Sequence, residues 1–165
     1  MRHRHSSGQA PTHARHHINL RLERWHRRCI YLVVAALLLS GVWWLLLHFF
    51  LRPAGEFGES VNPLEPMAMK LHGAGAMLGL FFLGSLMNSH IRRAIKGGQN
   101  LKTGWSLIVA LLALIVTGYG LYYLAGEADR VVWSTLHWVL GLALPVVLIL
   151  HIALGRAIRR RLQAQ

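Results

Sequence analysis

Long runs of apolar residues, separated by short polar connectors, dominate the chain after residue 28. Four of them cover roughly residues 29–51, 69–91, 104–125 and 131–155, and each is near or above the ~20 residues that a transmembrane helix needs. The connectors "RPAGEFGESVNPLEP", "KGGQN" and "AGEAD" carry helix-breaking residues. The pattern predicts an all-α membrane protein, a four-transmembrane-helix bundle whose single domain spans residues 29–157.

The flanking segments are strongly basic, and the formal net charge of the chain is +12 although 54% of its residues are hydrophobic. A soluble domain of this size cannot bury so much apolar surface, so we expect the spans in lipid and the charges at their ends. Residues 1–28 are predicted to form a basic N-terminal tail, disordered in part, and residues 158–165 a basic C-terminal tail. The first apolar run is too long for a cleavable signal, which predicts a retained anchor.

Most basic residues gather on one side of the predicted bundle. Four spans place the N-terminal, second-connector and C-terminal groups together, so that side holds 15 of the 18 Lys and Arg residues, while five of the six acidic residues lie opposite. The positive-inside rule then predicts that both termini are cytoplasmic, in a multi-pass protein of the bacterial inner membrane. This distribution favours topology and contact with anionic lipid over nucleic-acid binding.

Histidines inside the apolar runs are the candidate functional residues. His72 and His90 lie in the second span, His137 and His151 in the fourth, and His48 near the outer end of the first. Imidazole is costly in hydrocarbon, so an intramembrane histidine is a candidate site residue whose partner must be named. A single one, such as His48, is also explained by a hydrogen-bonded contact between helices.

The spacing of the four histidines predicts two facing pairs. At ~100° per residue, the 18 steps from His72 to His90 complete about five turns, and the 14 steps from His137 to His151 fall about 40° short of four turns. Spans two and four run in the same direction, which places His72 with His137 and His90 with His151. The intervals of about 27 Å and 21 Å differ, however, so a kink at Pro145 or an alternative ligand stays open.

Two imidazoles facing each other suit the axial ligation of a haem iron in the core of a bundle. Zinc or copper fits less well, because two histidines are too few ligands and the predicted spans carry no carboxylate. We therefore predict two haem b groups, an outer one bound by His72 and His137 and an inner one bound by His90 and His151. The alternates are His48 and His26. Candidate propionate contacts are Arg52, Lys70 and Arg130 on the outer side, with Arg92 and Arg93 on the inner side.

Glycines in the spans have two interpretations, namely room for a bulky planar cofactor or ordinary close packing of helices. They are Gly41 in the first span, Gly73, Gly75, Gly79 and Gly84 in the second, Gly118 and Gly120 in the third, and Gly141 in the fourth.

With these residues the chain resembles the bis-histidine b-type cytochromes of energy-transducing membranes. It is similar to the four-helix haem-binding portion of the cytochrome b of bc complexes, in which the second and fourth helices each carry two ligands. The near-14 spacing of that family is met on the fourth span and exceeded on the second. "RWHRRCIYLVVAALLLSG" also resembles the opening of the cytochrome b561, hydrogenase and formate dehydrogenase cytochromes. "LSGVWWLL" and "VTGYGLYYL" indicate a duplicated two-helix hairpin.

The resemblance implies electron transfer across the membrane between the outer and inner haems, by an electron-transfer protein or a cytochrome subunit of an oxidoreductase. Its partners would be quinone or quinol, or a partner redox protein, and its oligomeric state is open. Two alternatives use no haem. One is a transporter or proton relay built on the same histidines, and the other is a scaffold subunit of a membrane complex.

Overall fold

The architecture is that of a computed structural model, which describes residues 22–56, 58–98 and 100–164. Most of the predicted N-terminal tail therefore lies outside the described residues. The helices are α1 (Arg24–Phe49), α2 (Glu65–Leu86), α3 (Arg92–Gly97), α4 (Leu101–Tyr123) and α5 (Arg130–Gln163), with a π-helical turn at Met87–Ile91 between α2 and α3. A small antiparallel ribbon, Ala54–Gly55 with Gly58–Glu59, lies in the connector between α1 and α2.

Four helical segments of the described chain are long and apolar enough to cross a membrane. They are α1, the continuous segment Glu65–Gly97, α4 and Arg130–Arg161 of α5. The predicted all-α, four-span architecture is confirmed at this level. Two helices extend beyond the apolar runs: α1 begins at Arg24, and α5 continues to Gln163. The basic flanks of both segments are thus partly helical.

The bundle consists of two helical hairpins. Helix α1 packs along α2, α4 packs along α5, and α1 meets α5 over a shorter stretch. Small residues allow the close approach in the first hairpin, where a Cβ on Gly75 would lie 3.2 Å from the side chain of Leu37. This is the close packing through small residues that is common between membrane helices, since lipid provides no hydrophobic drive for their association.

Large apolar side chains cover the outward faces of all four spans. Aromatic residues are exposed where α1 and α4 end near the same side, at Phe49, Phe50, Tyr119, Tyr122 and Tyr123. Aromatic side chains of this kind are enriched where helices meet the membrane–water interface. The exposed surface therefore matches a lipid environment.

The tight turn between α3 and α4 uses left-handed backbone at Gly98 (φ 64°) and Asn100 (φ 51°). Glycine and asparagine adopt this conformation more readily than other residues. Asn100 precedes the first residue of α4, and its amide reaches the backbone carbonyl of His151 on α5 at 2.9 Å. The turn therefore fixes the start of α4 against the C-terminal half of α5.

Candidate functional site

His72 of α2 and His137 of α5 face each other across the two hairpins. Their ring centroids lie 6.1 Å apart and the ring planes are inclined at 78°. Both residues are half-buried. The structure thus brings together the outer pair that the sequence predicts.

His90 and His151 form a second pair of nearly the same geometry, with centroids 6.3 Å apart and an interplanar angle of 84°. His90 lies in the π-helical turn, whereas α5 is helical throughout from His137 to His151 and across Pro145. A π-turn fits an extra residue into the helix and rises less per residue than an α-helix, and such turns are frequent at functional sites. The smaller rise of this turn shortens the axial distance between His72 and His90. That distance therefore comes closer to the one between His137 and His151.

The separation of the rings fits a metal ion held between two imidazoles. An imidazole–metal bond of about 2.0–2.1 Å on each side, plus the distance from nitrogen to ring centre, gives a centroid separation of about 6.4 Å. The observed 6.1 and 6.3 Å are close to this value. Among the described residues, no group of three or more His, Cys, Asp and Glu side chains gathers to hold a metal. Each pair would therefore offer two imidazoles to a metal, which suits a metal whose other ligands come from a macrocycle.

In the outer pair, a hydroxyl group of the adjacent helix contacts Nδ1 of each histidine ring. Ser40 Oγ of α1 lies 3.0 Å from His72 Nδ1, and Thr117 Oγ1 of α4 lies 2.9 Å from His137 Nδ1. Ser40 and Thr117 are both buried. Each hairpin thus supplies one imidazole from its second helix and the group that orients it from its first.

The hydrogen bonds also assign the tautomer of these rings. Ser40 donates its hydroxyl hydrogen to the Ala36 carbonyl at 2.7 Å, and Thr117 donates to the Ala113 carbonyl at 2.7 Å. A hydroxyl has a single hydrogen, so its oxygen must accept the N–H of the imidazole. Nδ1 then carries the hydrogen, and the lone pair of Nε2 is left for a metal, as in known metal sites.

His151 of the inner pair is held in the same way. Thr103 Oγ1 of α4 lies 2.9 Å from His151 Nδ1 and donates its hydrogen to Asn100 Oδ1 at 2.7 Å. Asn100 Nδ2 lies 3.2 Å from the same Nδ1, so Thr103 and Asn100 together orient the His151 ring. Asn100 also binds the His151 backbone, so ring and main chain are both fixed at the inner site.

A glycine follows each of the three hydroxyl residues and leaves room for the imidazole. A Cβ would lie 3.4 Å from His72 Cε1 at Gly41, 3.2 Å from His137 Cε1 at Gly118, and 3.7 Å from His151 Cε1 at Gly104. The Ser-Gly or Thr-Gly dipeptide is therefore a repeated unit, in which the hydroxyl orients a ring and the glycine accommodates it.

The glycines of α2 differ in their surroundings. Gly75 and Gly79 face Leu37, which is helix packing, whereas Gly73 and Gly84 have nothing within 4 Å of a Cβ position. Gly73 and Gly84 are 11 residues apart, so their positions around the helix axis differ by about 20° and they lie on nearly the same face. Both residues are exposed.

The candidate propionate contacts are placed at the two ends of the bundle. Lys70 and Arg130 are exposed, two residues before His72 and seven before His137, and Arg52 Nη1 lies 4.0 Å from Glu59 Oε2. At the other end, Arg92 Nη1 donates to Asn88 Oδ1 at 3.0 Å, and Arg93 is exposed on α3.

The two alternate ligands have other contacts. His26 Nε2 lies 2.8 Å from Ser85 Oγ, and its ring contacts Trp25 and Phe82. His48 Nδ1 lies 3.2 Å from Glu65 Oε2, a contact between α1 and α2. The structure thus pairs His48 with a carboxylate, as the interhelical interpretation of this residue expects.

Sequence reasoning missed Asn100, Thr103 and Glu65. The sequence did contain a signal for Thr103. It lies 14 residues before Thr117, the same interval that separates His137 from His151, and a glycine follows each threonine. In antiparallel helices these equal intervals place the two hydroxyls opposite the two rings. Glu65 was assigned to a connector because the apolar run starts only at residue 69.

No protein-family model, curated protein or solved structure matches this chain.

Proposed function

We propose that this chain is a dihaem b-type cytochrome of the membrane, which passes electrons between an outer and an inner haem. Two histidine–histidine contacts carry the proposal: one of 6.1 Å joins α2 to α5, and one of 6.3 Å joins the π-helical turn to α5. Two such pairs of one geometry, three of their four rings held by a Ser-Gly or Thr-Gly unit, favour two equivalent cofactor sites over incidental packing.

His72 and His137 would hold the outer haem iron, and His90 and His151 the inner one. Haem supplies one-electron redox chemistry when bound. The chain contributes ligation, orientation and exclusion of water. Ser40 and Thr117 would keep the outer imidazoles in the tautomer that presents Nε2, and Thr103 would orient His151.

The spacing of the pairs supports a relay. The 14 residues between His137 and His151 correspond to about 21 Å along α5. The edges of two macrocycles at those depths are closer than their centres, so an electron can pass between them within the bundle. A transporter would need a polar path instead, and the described part of the chain buries only Glu65 among its acidic and basic side chains.

The same proposal places both termini in the cytoplasm of a bacterium and the outer pair toward the opposite face of the inner membrane. The charge distribution supports it, since Lys and Arg cluster beside the inner pair. The outer propionates would meet Lys70, Arg52 and Arg130. The inner ones would meet Arg92 and Arg93.

The electron partners would be a quinone or quinol dissolved in the membrane, or a redox protein docked at either face. An apolar groove of about 520 Å³ supports the first. It opens along the seam of α1 and α2 between Leu39, Trp43, Leu71 and Leu78, and Ser40, which holds His72, forms part of its wall. A lipid-soluble carrier in this groove would lie beside the outer site.

Proteoliposomes test the relay. Ferricyanide is trapped inside vesicles that contain the purified chain, and a reductant that does not cross lipid is added outside. We expect the trapped ferricyanide to be reduced, and His137→Ala or His151→Ala to stop the reaction while one haem remains. Unchanged reduction in both variants would contradict a relay through the two pairs.

A further inference from the structure

Glu65 is the one buried side chain among the described acidic and basic residues, with 9% of its side chain exposed. Its Oε1 is buried without a hydrogen-bond partner, and its Oε2 lies 3.2 Å from His48 Nδ1. An ionised carboxylate removed from water is costly unless it is paired or neutralised. Within a membrane bundle an ionisable group of this kind is a functional candidate.

His48 is placed to share a proton with this carboxylate. The imidazole lies between Glu65 Oε2 on one side and the face of Trp44 on another, with Trp44 and His48 ring centroids 4.5 Å apart and nearly parallel at 14°. A carboxylate and an aromatic face both stabilise a cationic partner. One proton on the pair, at either the imidazole or the carboxyl, leaves the pair without net charge.

The two side chains of the pair differ in exposure. The His48 side chain is 34% exposed, whereas that of Glu65 is 9% exposed. The other charged side chains of this end of the bundle are all exposed, on the α1–α2 connector, on α2, on the α4–α5 connector and at the start of α5: Arg52, Glu56, Glu59, Lys70, Glu127, Asp129 and Arg130. None of them replaces the neutralising role of His48, because His48 is the group that contacts Glu65.

Glu65 is close to the outer histidine pair. The seven steps from Glu65 to His72 fall about 20° short of two turns, so the two side chains share one face of α2 and lie about 10.5 Å apart along it. Across this distance a unit charge at the outer site changes the proton affinity of the pair by roughly tenfold, for an effective dielectric constant of about 20.

We propose that Glu65 and His48 form a proton-binding site, which holds one proton between carboxylate and imidazole and releases it to the outer aqueous phase when the outer site loses an electron. The proton leaves as the electron leaves, so the charge of this end of the bundle is balanced. The coupling to the electron rests on the proposed function, whereas the proton site itself does not.

The first test is independent of haem. In the full chain in nanodiscs at pH 7, nitrogen NMR of the histidine rings and infrared spectroscopy of the carboxyl groups locate the proton. We expect either an imidazolium that His48→Phe removes or a protonated carboxyl that Glu65→Gln removes. Glu59→Gln, which alters an exposed carboxylate of the neighbouring connector, is the matched control and leaves the signal in place. A neutral imidazole beside an ionised Glu65 would overturn the proposal.

The second test measures the coupling in the haem-loaded chain. The midpoint potential of the outer site should fall with rising pH by a total of about 59 mV, the equivalent of a tenfold change for one electron. Glu65→Gln should abolish this dependence without changing haem content, and Glu59→Gln should retain it. A pH dependence that survives Glu65→Gln would reject the coupling. A chain that binds no haem would refute the proposed function, while the first test still decides the proton site.

Discussion

Thr117 Oγ1 lies 2.9 Å from Nδ1 of His137, and its own hydrogen is donated to the Ala113 carbonyl. The imidazole must therefore donate to the hydroxyl and present Nε2 on its other side. Ser40 repeats this relationship with His72. A small polar residue of one helix thus decides what the histidine of the next helix can bind.

Replacing each paired histidine by alanine should remove one low-spin haem signal per variant. His72→Ala and His137→Ala should lose the same signal, and the double variant should lose no more than either single variant, because the residues act as one site. His90→Ala and His151→Ala should do the same for the other signal. The measurement is a low-temperature visible or electron paramagnetic resonance spectrum of each purified variant.

His26→Ala and His48→Ala serve as controls and should keep both signals, since these rings contact Ser85 and Glu65 instead. Loss of a signal in either control would mean that the pairing of ligands is different.

Thr117→Val should weaken haem binding at the outer site. Valine keeps the shape of threonine but removes the acceptor of the His137 Nδ1 hydrogen, and loss of such an outer-shell partner typically costs 10–100-fold in metal affinity. Haem titration of the apoprotein measures the change. Ser106→Ala is a suitable control, because the Ser106 hydroxyl of the same helix donates to the Lys102 carbonyl. Equal affinities in wild type and Thr117→Val would show that the hydroxyl has no part in ligation.

Gly118→Ala should lower outer haem occupancy, because the new Cβ would lie 3.2 Å from His137 Cε1 and the ring would have to shift. Gly141→Ala adds the same methyl group at an ordinary contact distance of 3.9 Å from Leu114. Alanine is the better helix former, so neither substitution weakens the helix itself. Haem content per chain, compared between the two variants, separates clearance at the site from helix packing.

The predicted orientation can be checked with single cysteines in a Cys29→Ser background. Ser60→Cys lies on the connector between α1 and α2, and Gln163→Cys lies at the end of α5; both positions are exposed. In intact cells a maleimide that does not cross the membrane should label the first position only. Labelling of Gln163→Cys without cell lysis would place the C-terminus outside.

The four spans follow from the sequence because twenty apolar residues in a row have few other stable environments. The meeting of His72 with His137 and of His90 with His151 was predicted from helical periodicity alone, and the structure places the rings so. Their roles as ligands stay a prediction. The length mismatch on the second span could not be solved from periodicity, because a π-turn at Met87–Ile91 depends on packing and has no simple sequence signal.

The hydroxyl groups that contact the histidines can be predicted only in part from the sequence. The repeated "LSG" and "VTG" segments are visible in it, and their hydroxyls contact equivalent rings in the two hairpins. The repeat does not extend to the inner site of the first hairpin. Thr103 lies 14 residues before Thr117, but the residue 14 before Ser40 is His26. The burial of Glu65 could not be predicted from the sequence, because a charged residue four positions before an apolar run looks like part of a connector.

A reduced-minus-oxidised visible spectrum of the purified chain, combined with a count of haem per protein, tests the central claim most directly. Four histidines in two facing pairs predict a b-type spectrum with two haems per chain. One haem per chain would leave bis-histidine ligation in place and remove the transmembrane relay. A chain purified from haem-sufficient cells that shows no b-type band would contradict the account.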